Sequence, residues 1–424
     1  MKIWIRNGYV ISMDEKKEII TQEDIVIEND IILFIGKNYK GSYDKIIDAK
    51  DRYVLPGLIN CHTHLGMSIF KGTNDNYPLD KWLKEYIWPI EDQLTDEDMY
   101  DTTLLSIIEM IKTGTTCFND MYYNWKGSMK AFSETGIRGV YGRCLIGEKE
   151  EWDKREKDFE ELYQSNKNDL IKLSIGIHSL YTTNIDSLIK GEHLATKYHL
   201  PIHIHLSENK EEVKTIKNRY QMEPIQVLEK YGLLKHKMVI AHGTFLSKKE
   251  INLIKGKDIS ICTNPISNLN LGCGISDISS YRKEGINVCL GTDGVGSGNT
   301  LNLFYHMSMV DNLQKGIYQD PTIMSSYEVL KMATINGAKA LGLENFIGSL
   351  EVGKNADIII LDIDEIDKCT TTNPIIQIVH NGWNNYVDTT IVNGKIVMEK
   401  KELKMNIDIH KLQNKMKEIQ ERLK

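Results

Sequence analysis

The sequence predicts an α/β protein in which a (β/α)8 barrel of the TIM type carries a small β domain formed by both termini. Three observations support this fold class. Short apolar runs recur eight times between helical patterns over about 240 residues, which is the size and rhythm of such a barrel. Both ends of the chain show strand and turn patterns instead. The 424 residues, 41% of them hydrophobic, suffice for one large core and a second, smaller one.

Each end of the chain contains an Asn-Gly pair between alternating apolar and polar residues. Asn7-Gly8 lies in the run KIWIRNGYVISM, and Asn393-Gly394 lies in DTTIVNGKIVM. Asn-Gly is the pair that best suits a two-residue hairpin turn, so both positions predict a β-hairpin. The apolar runs at 24–36 and 356–362 predict further strands. We therefore expect one small β domain assembled from the two termini.

The barrel strands are predicted at eight β-branched runs. In chain order these are YVLPGLIN, GTTCFND, RGVYGRCL, LSIGIHS, PIHIHLSE, MVIAHGT, ISICTNP and INVCLGTDG. Helical patterns lie between many of them; one has a capping box at Thr95 and Asp98 and a stop at Gly114. The competing fold is an open doubly wound sheet, which usually has a Gly-rich phosphate turn after its first strand. Here His62 and His64 follow that strand instead.

Charge and cysteine content exclude several classes of protein. The net charge is -7 and the charged residues are interspersed, so no basic surface for nucleic acid is predicted. Seven cysteines without a C-x-x-C pair argue against a disulfide framework and a structural zinc knuckle. No apolar run approaches the roughly 18 residues of a membrane span, and the first residues lack the layout of a signal peptide. We expect a cytoplasmic protein without nucleic-acid or membrane partners.

Polar side chains cluster at the C-terminal ends of the predicted barrel strands, the face on which barrel active sites lie. They are His62, His64, His178, His205, Glu208, His242 and Asp293. Nitrogen and oxygen donors suit a borderline divalent ion such as zinc, which lowers the pKa of a bound water to about 7. Taken singly, each has a plainer interpretation, because His-x-His is often a hydrogen-bonded core pair and Asp293 fits an ordinary turn.

The remaining histidines are assigned to structural positions. His203 shares a strand face with His205 but lies deeper in the strand, so we expect a hydrogen-bonded core residue. The others fall on helices or loops and are predicted to be surface residues: His193, His199, His236, His306, His380 and His410.

Six motifs, in order along nearly the whole chain, carry a resemblance to a known family. They are PGLINCHTH, HIHLSE, AHGT, NPISNLNLGCG, LGTDG and GSLEVGKNADIIILD. Together they resemble the amidohydrolase superfamily, in particular its 5'-methylthioadenosine/S-adenosylhomocysteine deaminase group. The resemblance implies a distorted barrel that holds one metal ion per subunit, and a β-sandwich from both termini. We set the domains at 1–56 and 349–424 for the sandwich, the latter with a terminal helix, and 57–348 for the barrel.

The resemblance also implies a division of labour among the strand-end residues. The metal ligands would be His62, His64, His205 and Asp293, with zinc as the expected ion and Fe2+, Mn2+ or Ni2+ as alternatives. Glu208 would shuttle a proton to a ring nitrogen, and His242 would orient the hydroxide and stabilise the tetrahedral intermediate. Asp293 would take the proton of the metal-bound water and return it to departing ammonia. Protonating the ring nitrogen makes the neighbouring carbon electrophilic, which is why an acid is needed opposite the nucleophile.

Substrate contacts are predicted from the same resemblance. Glu91, after Trp-Pro-Ile in the long first βα connection, would bind the ribose hydroxyls; its plainer interpretation is a solvated acidic helix start. Arg143 and Arg155 would meet the amino-acid carboxylate of S-adenosylhomocysteine, although Arg155 lies in a charge-rich helix where it could equally face water. His178 would contact the substrate near the metal, as would Glu208 and Asp293.

Three apolar residues and one cysteine of this region have weaker assignments. Trp82, Trp88 and Leu180 fit an apolar wall for the purine or thioether, but such residues are more often plain core. Cys273 stands where relatives usually carry a small residue, and it receives no predicted role.

The function implied is hydrolytic deamination of the adenine ring in 5'-modified adenosines, giving the inosine analogue and ammonia. The expected substrates are S-adenosylhomocysteine, 5'-methylthioadenosine, 5'-deoxyadenosine or adenosine. A guanine-type or other free-base deaminase and a triazine chlorohydrolase are alternatives within the superfamily. A non-catalytic binding protein on a barrel scaffold is a third, against which the intact ligand set and Glu208 argue. Families on this scaffold often self-associate, so a homo-oligomer is expected.

Overall fold

The computed structural model describes residues 1–73, 76–147 and 149–423. Its strands are β1 (Lys2–Val10), β2 (Thr21–Glu28), β3 (Ile31–Gly36), β4 (Lys45–Asp48), β5 (Tyr53–Pro56), β6 (Leu58–Thr63), β7 (Thr115–Tyr122), β8 (Arg138–Leu145), β9 (Ile171–Ser179), β10 (Ile202–Leu206), β11 (Met238–His242), β12 (Ile259–Thr263), β13 (Asn287–Leu290), β14 (Ile358–Leu361), β15 (Val387–Val392), β16 (Lys395–Glu399) and β17 (Glu402–Leu403).

Helices follow most barrel strands. They are α1 (Leu79–Trp82), α2 (Trp88–Glu91), α3 (Asp96–Lys112), α4 (Trp125–Thr135), α5 (Lys149–Ser165), α6 (Ile185–Tyr198), α7 (Lys210–Tyr220), α8 (Pro224–Lys230), α9 (Lys248–Ile254), α10 (Pro265–Asn270), α11 (Ile278–Lys283), α12 (Val295–Gly298), α13 (Leu303–Tyr318), α14 (Ser326–Met332), α15 (Ile335–Leu341), α16 (Glu365–Thr370), α17 (Pro374–Asn381) and α18 (Ile409–Arg422). Leu65–Phe70 and Leu233–Lys235 form 3-10 turns, and Leu83–Ile87 forms a π-helical turn. No helix in the described ranges has both the length and the apolar composition needed to span a bilayer.

The barrel consists, within the described residues, of eight parallel strands paired in chain order from β6 to β13. Its two end strands meet where the backbone N–H groups of Thr292 and Asp293 donate to the carbonyl of His62, at 3.1 and 2.9 Å. The strands are buried on both faces, as expected for a sheet covered by helices outside and filled by side chains inside. The predicted fold class and strand order are confirmed.

The first predicted strand is divided at Gly57. Its first half, β5, pairs with β1 and β14 of the terminal sheet, and its second half, β6, opens the barrel. A Cβ at position 57 would lie 2.1 Å from Thr116 Oγ1, so only glycine fits where the chain passes from one sheet to the other.

The termini build a mixed sheet in the order β17-β16-β15-β14-β5-β1-β2-β3, with β4 added beside β1. The sheet has its own aliphatic core, in which Ile3, Ile25 and Ile360 are fully buried. The C-terminal hairpin turns at Asn393-Gly394 as predicted. The domain limits proposed from the sequence stay a prediction.

The predicted hairpin at Asn7-Gly8 is wrong, because β1 runs straight through this pair. Asn7 takes a left-handed backbone conformation, with φ of 64°, and the pairing with β2 shifts register between Ile5 and Gly8. The N–H of Asn7 donates to Asp24 Oδ1 at 3.1 Å. The pair therefore forms a β-bulge, a second structure for which Asn and Gly are suited by their tolerance of positive φ.

A buried ion pair joins the barrel to the terminal sheet. Arg138 of β8 donates from Nε and Nη2 to the two carboxylate oxygens of Asp357, at 2.8 and 3.1 Å, and from Nη2 to Asn393 Oδ1 at 2.8 Å. Removing one partner of such a pair leaves a buried charge and typically costs about 3–5 kcal/mol. The contact therefore holds the two sheets in a defined relation.

The long connection after β6 covers the C-terminal ends of the barrel strands. Its described part contains the 3-10 turn Leu65–Phe70, then α1, the π-helical turn and α2. The following helix, α3, begins with the predicted capping box between Thr95 and Asp98 and is followed by Gly114 at φ of 84°. Side chains from this connection form one wall of the pocket described next.

Candidate active site

Three histidines direct their Nε2 atoms at a common point beyond the strand ends. His64 Nε2 lies 3.2 Å from His205 Nε2 and 3.1 Å from Asp293 Oδ1, and His62 Nε2 lies 3.4 Å from the same carboxylate oxygen. One donor atom from each of these four residues lies within 4.8 Å of the others. The structure therefore brings together the four residues predicted as metal ligands.

Backbone carbonyls determine the proton position on two of these rings. His64 Nδ1 donates to the carbonyl of Met121 at 2.7 Å, and His205 Nδ1 donates to the carbonyl of His178 at 2.7 Å. A carbonyl can only accept, so Nδ1 must carry the hydrogen in both rings. In the neutral rings the Nε2 atoms then hold the lone pairs, the form in which imidazole binds a metal ion.

Asp293 completes the group from the end of the last barrel strand. It has a positive φ of 60°, and its Oδ2 accepts from Ser267 Oγ at 2.5 Å and from Ser297 Oγ at 3.0 Å. Burial alone would raise the pKa of this carboxyl, but the closeness of the His62 and His64 rings outweighs burial and holds the pKa well below its usual range. The group is therefore a carboxylate at neutral pH.

The chemistry of this donor set fits a divalent cation. His62 Nε2 is buried and makes no hydrogen bond within the described residues, although Asp293 Oδ1 lies 3.4 Å away. Two further Nε2 lone pairs and a carboxylate oxygen point to the same spot, and such acceptors repel one another unless a cation lies between them. Three imidazoles and one carboxylate are typical ligands of a borderline ion such as zinc.

His242 and Glu208 lie beside this group. His242 ends β11 with φ of 71°, and its Nδ1 lies 2.7 Å from Asn268 Oδ1, to which it can only donate. In the neutral ring this leaves the lone pair on Nε2, and His242 lines the pocket. Glu208 Oε1 lies 3.8 Å from His242 Nδ1, and burial raises the pKa of the Glu208 carboxyl.

Two neighbours of Glu208 were not predicted. The Cys273 thiol, to which the sequence assigned no role, donates to Glu208 Oε1 at 3.6 Å. The buried Glu212 carboxylate accepts from the backbone N–H groups of Ser207 and Glu208, at 2.9 and 2.7 Å, and so holds the segment that carries Glu208. The sequence presents Glu212 within a charged run, whose ordinary interpretation is a solvated helix, so only the structure reveals this contact.

A pocket opens above these residues. It is lined by His64, Met67, Leu79, Trp82, Leu83, Ile87, Trp88, Glu91, Met121, Tyr122, Tyr123, Cys144, His178, Tyr181, His205, Glu208, His242, Leu271, Asp293 and Ser297. Trp82 and Trp88 thus form the expected apolar wall, whereas Leu180 is fully buried in the core and Tyr181 lines the pocket beside it.

His178 lies at the pocket wall between the metal donors and Tyr181. Its Nδ1 lies 2.9 Å from Thr182 Oγ1. Burial lowers the pKa of His178 to about 3, so its ring is neutral at pH 7.

Glu91 ends α2 at the outer side of the pocket. Its Oε1 accepts from the Tyr122 hydroxyl at 2.5 Å. Burial raises the pKa of the Glu91 carboxyl to about 7, although the Tyr122 hydrogen bond opposes this shift. The carboxyl therefore changes charge near neutral pH. It is half-buried and not the freely solvated group that the acidic surroundings of the helix start would favour.

The two predicted arginines lie at an adjoining cavity, not at the metal donors. This cavity shares Trp88, Glu91 and Tyr123 with the pocket. Arg143 is buried there, donating to the Cys144 carbonyl at 2.8 Å and to Asp158 Oδ2 at 3.1 Å. Whether the arginines bind substrate stays a prediction.

Arg155 differs from Arg143 in its partners. It is half-buried, and its guanidinium lies over the ring of Tyr123, 5.4 Å from the ring centroid. Within the residues that the structure describes, no carboxylate pairs with it. The charge of Arg155 is therefore the more available of the two, although the sequence favoured Arg143.

Two of the structural histidines need comment. His203 is a hydrogen-bonded core residue as predicted, with its Nε2 2.8 Å from His62 Nδ1. The prediction that His306 lies at the surface is wrong, because its side chain is fully buried. It lies on α13 three residues after Leu303 and four before Val310, and this apolar spacing is the signal that could have placed it inside.

The fold and this donor set define a barrel protein with a candidate metal centre at the C-terminal ends of its strands. The chain belongs to the amidohydrolase family, whose sequence pattern matches residues 53–397. It is 40% identical over 418 residues to a 5-methylthioadenosine/S-adenosylhomocysteine deaminase of Thermoanaerobacter pseudethanolicus, covering 97% of each chain. It is 39% identical over 411 residues to a 5'-deoxyadenosine deaminase of Methanocaldococcus jannaschii, covering 95% of this chain and 97% of the relative.

A solved structure agrees with these relatives. An adenosine deaminase of Xanthomonas campestris with bound zinc superposes with a TM-score of 0.94 at 27% identity, covering 99% of this chain and 98% of the other. The superposition thus extends over both the barrel and the terminal sheet.

Proposed function

We propose that this protein is a metal-dependent deaminase that hydrolyses the amino group from the adenine ring of 5'-modified adenosines, releasing ammonia and the inosine analogue. One observation carries the proposal: a single pocket is lined by metal donors, by Glu208 and His242, and by a carboxyl, Glu91, that also borders the adjoining cavity. The names of the relatives, which act on adenosine analogues, support the same substrate class.

The metal would be held by His62, His64, His205 and Asp293, because these residues offer the converging lone pairs described above. Zinc is the proposed ion, with Fe2+, Mn2+ or Ni2+ as alternatives of similar ligand preference. Bound there, a divalent ion lowers the pKa of a water molecule to about 7 and so supplies a nucleophile at neutral pH.

The protein's own residues would perform the proton transfers. Glu208 is buried and its pKa is raised, so it can carry a proton and donate it to the ring nitrogen beside the carbon that bears the amino group. His242, with its hydrogen held on Nδ1 by Asn268, can accept a hydrogen bond from the attacking water through Nε2 and so orient that water. Asp293 would take the proton that the water loses and deliver it to the departing ammonia.

Glu91 would recognise the ribose. Its carboxyl lines the same pocket as the metal donors and also borders the adjoining cavity, and one of its oxygens is already held by Tyr122. A carboxylate can accept from two adjacent hydroxyls at once, which distinguishes a nucleoside from a free base. His178 and the two tryptophans, Trp82 and Trp88, would enclose the sugar and the purine.

The adjoining cavity would receive the 5' substituent. Arg155 carries a positive charge that no described carboxylate balances, whereas Arg143 already shares its charge with Asp158. We therefore propose Arg155 as the first partner of the S-adenosylhomocysteine carboxylate, with Arg143 as a second. A methylthio group is neutral and would occupy the same cavity without this contact.

An ammonia-release assay of the zinc-loaded protein tests the proposal. The substrates are adenosine, 5'-deoxyadenosine, 5'-methylthioadenosine, S-adenosylhomocysteine and guanine. We expect turnover of the adenosines and none of guanine. Turnover of guanine alone would establish the free-base alternative, and no turnover of any compound by protein with bound zinc would favour a binding function. Self-association and a cytoplasmic location stay predictions; light scattering tests the first.

A further inference from the structure

The imidazole of His203 forms a hydrogen bond with one of the metal donors, His62. Its Nε2 lies 2.8 Å from His62 Nδ1, with the two ring planes at 90° and both rings buried. We propose that His203 is a positioning residue for the metal site: it accepts the Nδ1 hydrogen of His62 and so keeps the Nε2 lone pair of His62 directed at the ion. This inference rests on the metal site of the proposed function.

The partners of the three rings differ in how strictly they define the proton position. The carbonyls of Met121 and His178 accept only, so the tautomers of His64 and His205 are determined before any ion binds. Between His62 and His203 the shared hydrogen can belong to either ring. If His203 donates it, His62 must hold its own hydrogen on Nε2 and cannot be a ligand.

Metal binding by His62 requires one particular tautomer of His203. When His62 donates, His203 must hold its hydrogen on Nδ1, which is buried and makes no hydrogen bond to any described residue. Burying this hydrogen without an acceptor is unfavourable, and a bound ion offsets that free-energy cost by coordinating His62. Binding of the ion and the tautomer of His203 are therefore coupled. A residue that merely filled space in the core would lack this coupling and would affect folding alone.

The test compares His203→Leu with His203→Gln by zinc affinity, measured at one pH by competition with a chromophoric chelator. The glutamine carboxamide oxygen can accept the same hydrogen from His62, whereas leucine cannot accept any. Loss of such an outer partner typically lowers metal affinity by about 10–100-fold. We expect a loss in this range for His203→Leu and a clearly smaller loss for His203→Gln.

The control is His306→Leu, since His306 is another fully buried histidine but lies on α13, outside the donor group. It should leave zinc affinity unchanged. Wild-type affinity in His203→Leu, or equal losses in the leucine and glutamine variants, would overturn the inference. If the wild-type protein itself binds no zinc, the metal site of the proposed function fails instead, so the two failures are distinguishable.

Discussion

The inner end of the pocket and the adjoining arginine cavity are built in different ways. At the inner end, which we call the floor, backbone carbonyls at the strand ends hold His64 and His205, and serine hydroxyls and a backbone N–H hold Asp293. In the arginine cavity, other side chains contribute more: Arg143 donates to Asp158 as well as to the Cys144 carbonyl, and Arg155 lies over the ring of Tyr123.

We infer from this difference that the floor carries out the reaction and that the arginine cavity determines which substrates are preferred. Groups held by a parallel sheet keep their positions whatever occupies the pocket, as a reaction centre requires. Groups held by side chains of helices and loops can exchange one partner for another when a ligand binds. Such groups therefore discriminate between ligands. Substitutions at the floor should therefore affect all substrates alike. Substitutions at Glu91 and in the arginine cavity, which we call the outer end, should affect some substrates and not others.

The largest effect is expected for Glu208→Gln, which removes the proposed acid at the floor. Loss of a general acid typically lowers the rate about 10²–10⁴-fold. We expect kcat to fall by this amount equally for adenosine and S-adenosylhomocysteine, with unchanged zinc content by atomic absorption. A loss confined to one substrate would show that Glu208 contributes to substrate selectivity. It would contradict the claim that residues at the floor affect all substrates alike.

The floor could be predicted from the sequence, because strand ends are the most regular part of a barrel. His62 and His64 are two residues apart at one strand end, and Asp293 follows the last strand, so fold class alone places them together. The Arg143–Asp158 pair could not be predicted. It joins a strand to a separate helix, and no spacing in the sequence specifies which turn of that helix faces the strand.

The wrong hairpin prediction at Asn7-Gly8 and the failure to predict the role of Glu212 have a related physical cause. Asn7-Gly8 suits a hairpin and a bulge equally, and the choice depends on a partner, Asp24, in another strand. Glu212 has the local surroundings of a solvated helix residue, but its carboxylate caps two backbone N–H groups of its own chain. In each case a tertiary contact decided between two structures that the local sequence permits.

The next effect in size is expected for Glu91→Gln. A hydrogen bond to a charged group contributes about 1.5–3 kcal/mol, which corresponds to roughly a tenfold to hundredfold change. We expect kcat/KM for adenosine to fall by this factor and kcat/KM for 2',3'-dideoxyadenosine, which lacks both hydroxyls, to stay nearly unchanged.

The matched control for this substitution is Glu85→Gln, which removes an exposed carboxylate from the same covering segment. It should leave both substrates unaffected. Equal losses for adenosine and the dideoxy compound in Glu91→Gln would contradict a role in binding the ribose.

A smaller and more selective effect is expected for Arg155→Gln. Because the guanidinium is half-exposed, solvent weakens its contact with a carboxylate, and we expect about a tenfold rise in KM for S-adenosylhomocysteine. The KM for 5'-methylthioadenosine should not change. Arg143→Gln is the companion variant: it should raise the same KM less, since Asp158 already shares that charge. The opposite order would restore the ranking expected from the sequence.

The smallest effect is a pH dependence that belongs to the outer end alone. Burial raises the pKa of Glu91 to about 7, so in the free enzyme the carboxyl is mostly protonated at pH 6 and mostly ionised at pH 8. The ionised form is the stronger acceptor for ribose hydroxyls. The ratio of wild-type to Glu91→Gln kcat/KM for adenosine should therefore rise several-fold between pH 6 and pH 8, with its midpoint near pH 7. Titrations at the floor occur in both proteins and cancel in this ratio, so a ratio independent of pH would mean that Glu91 meets the substrate without its charge.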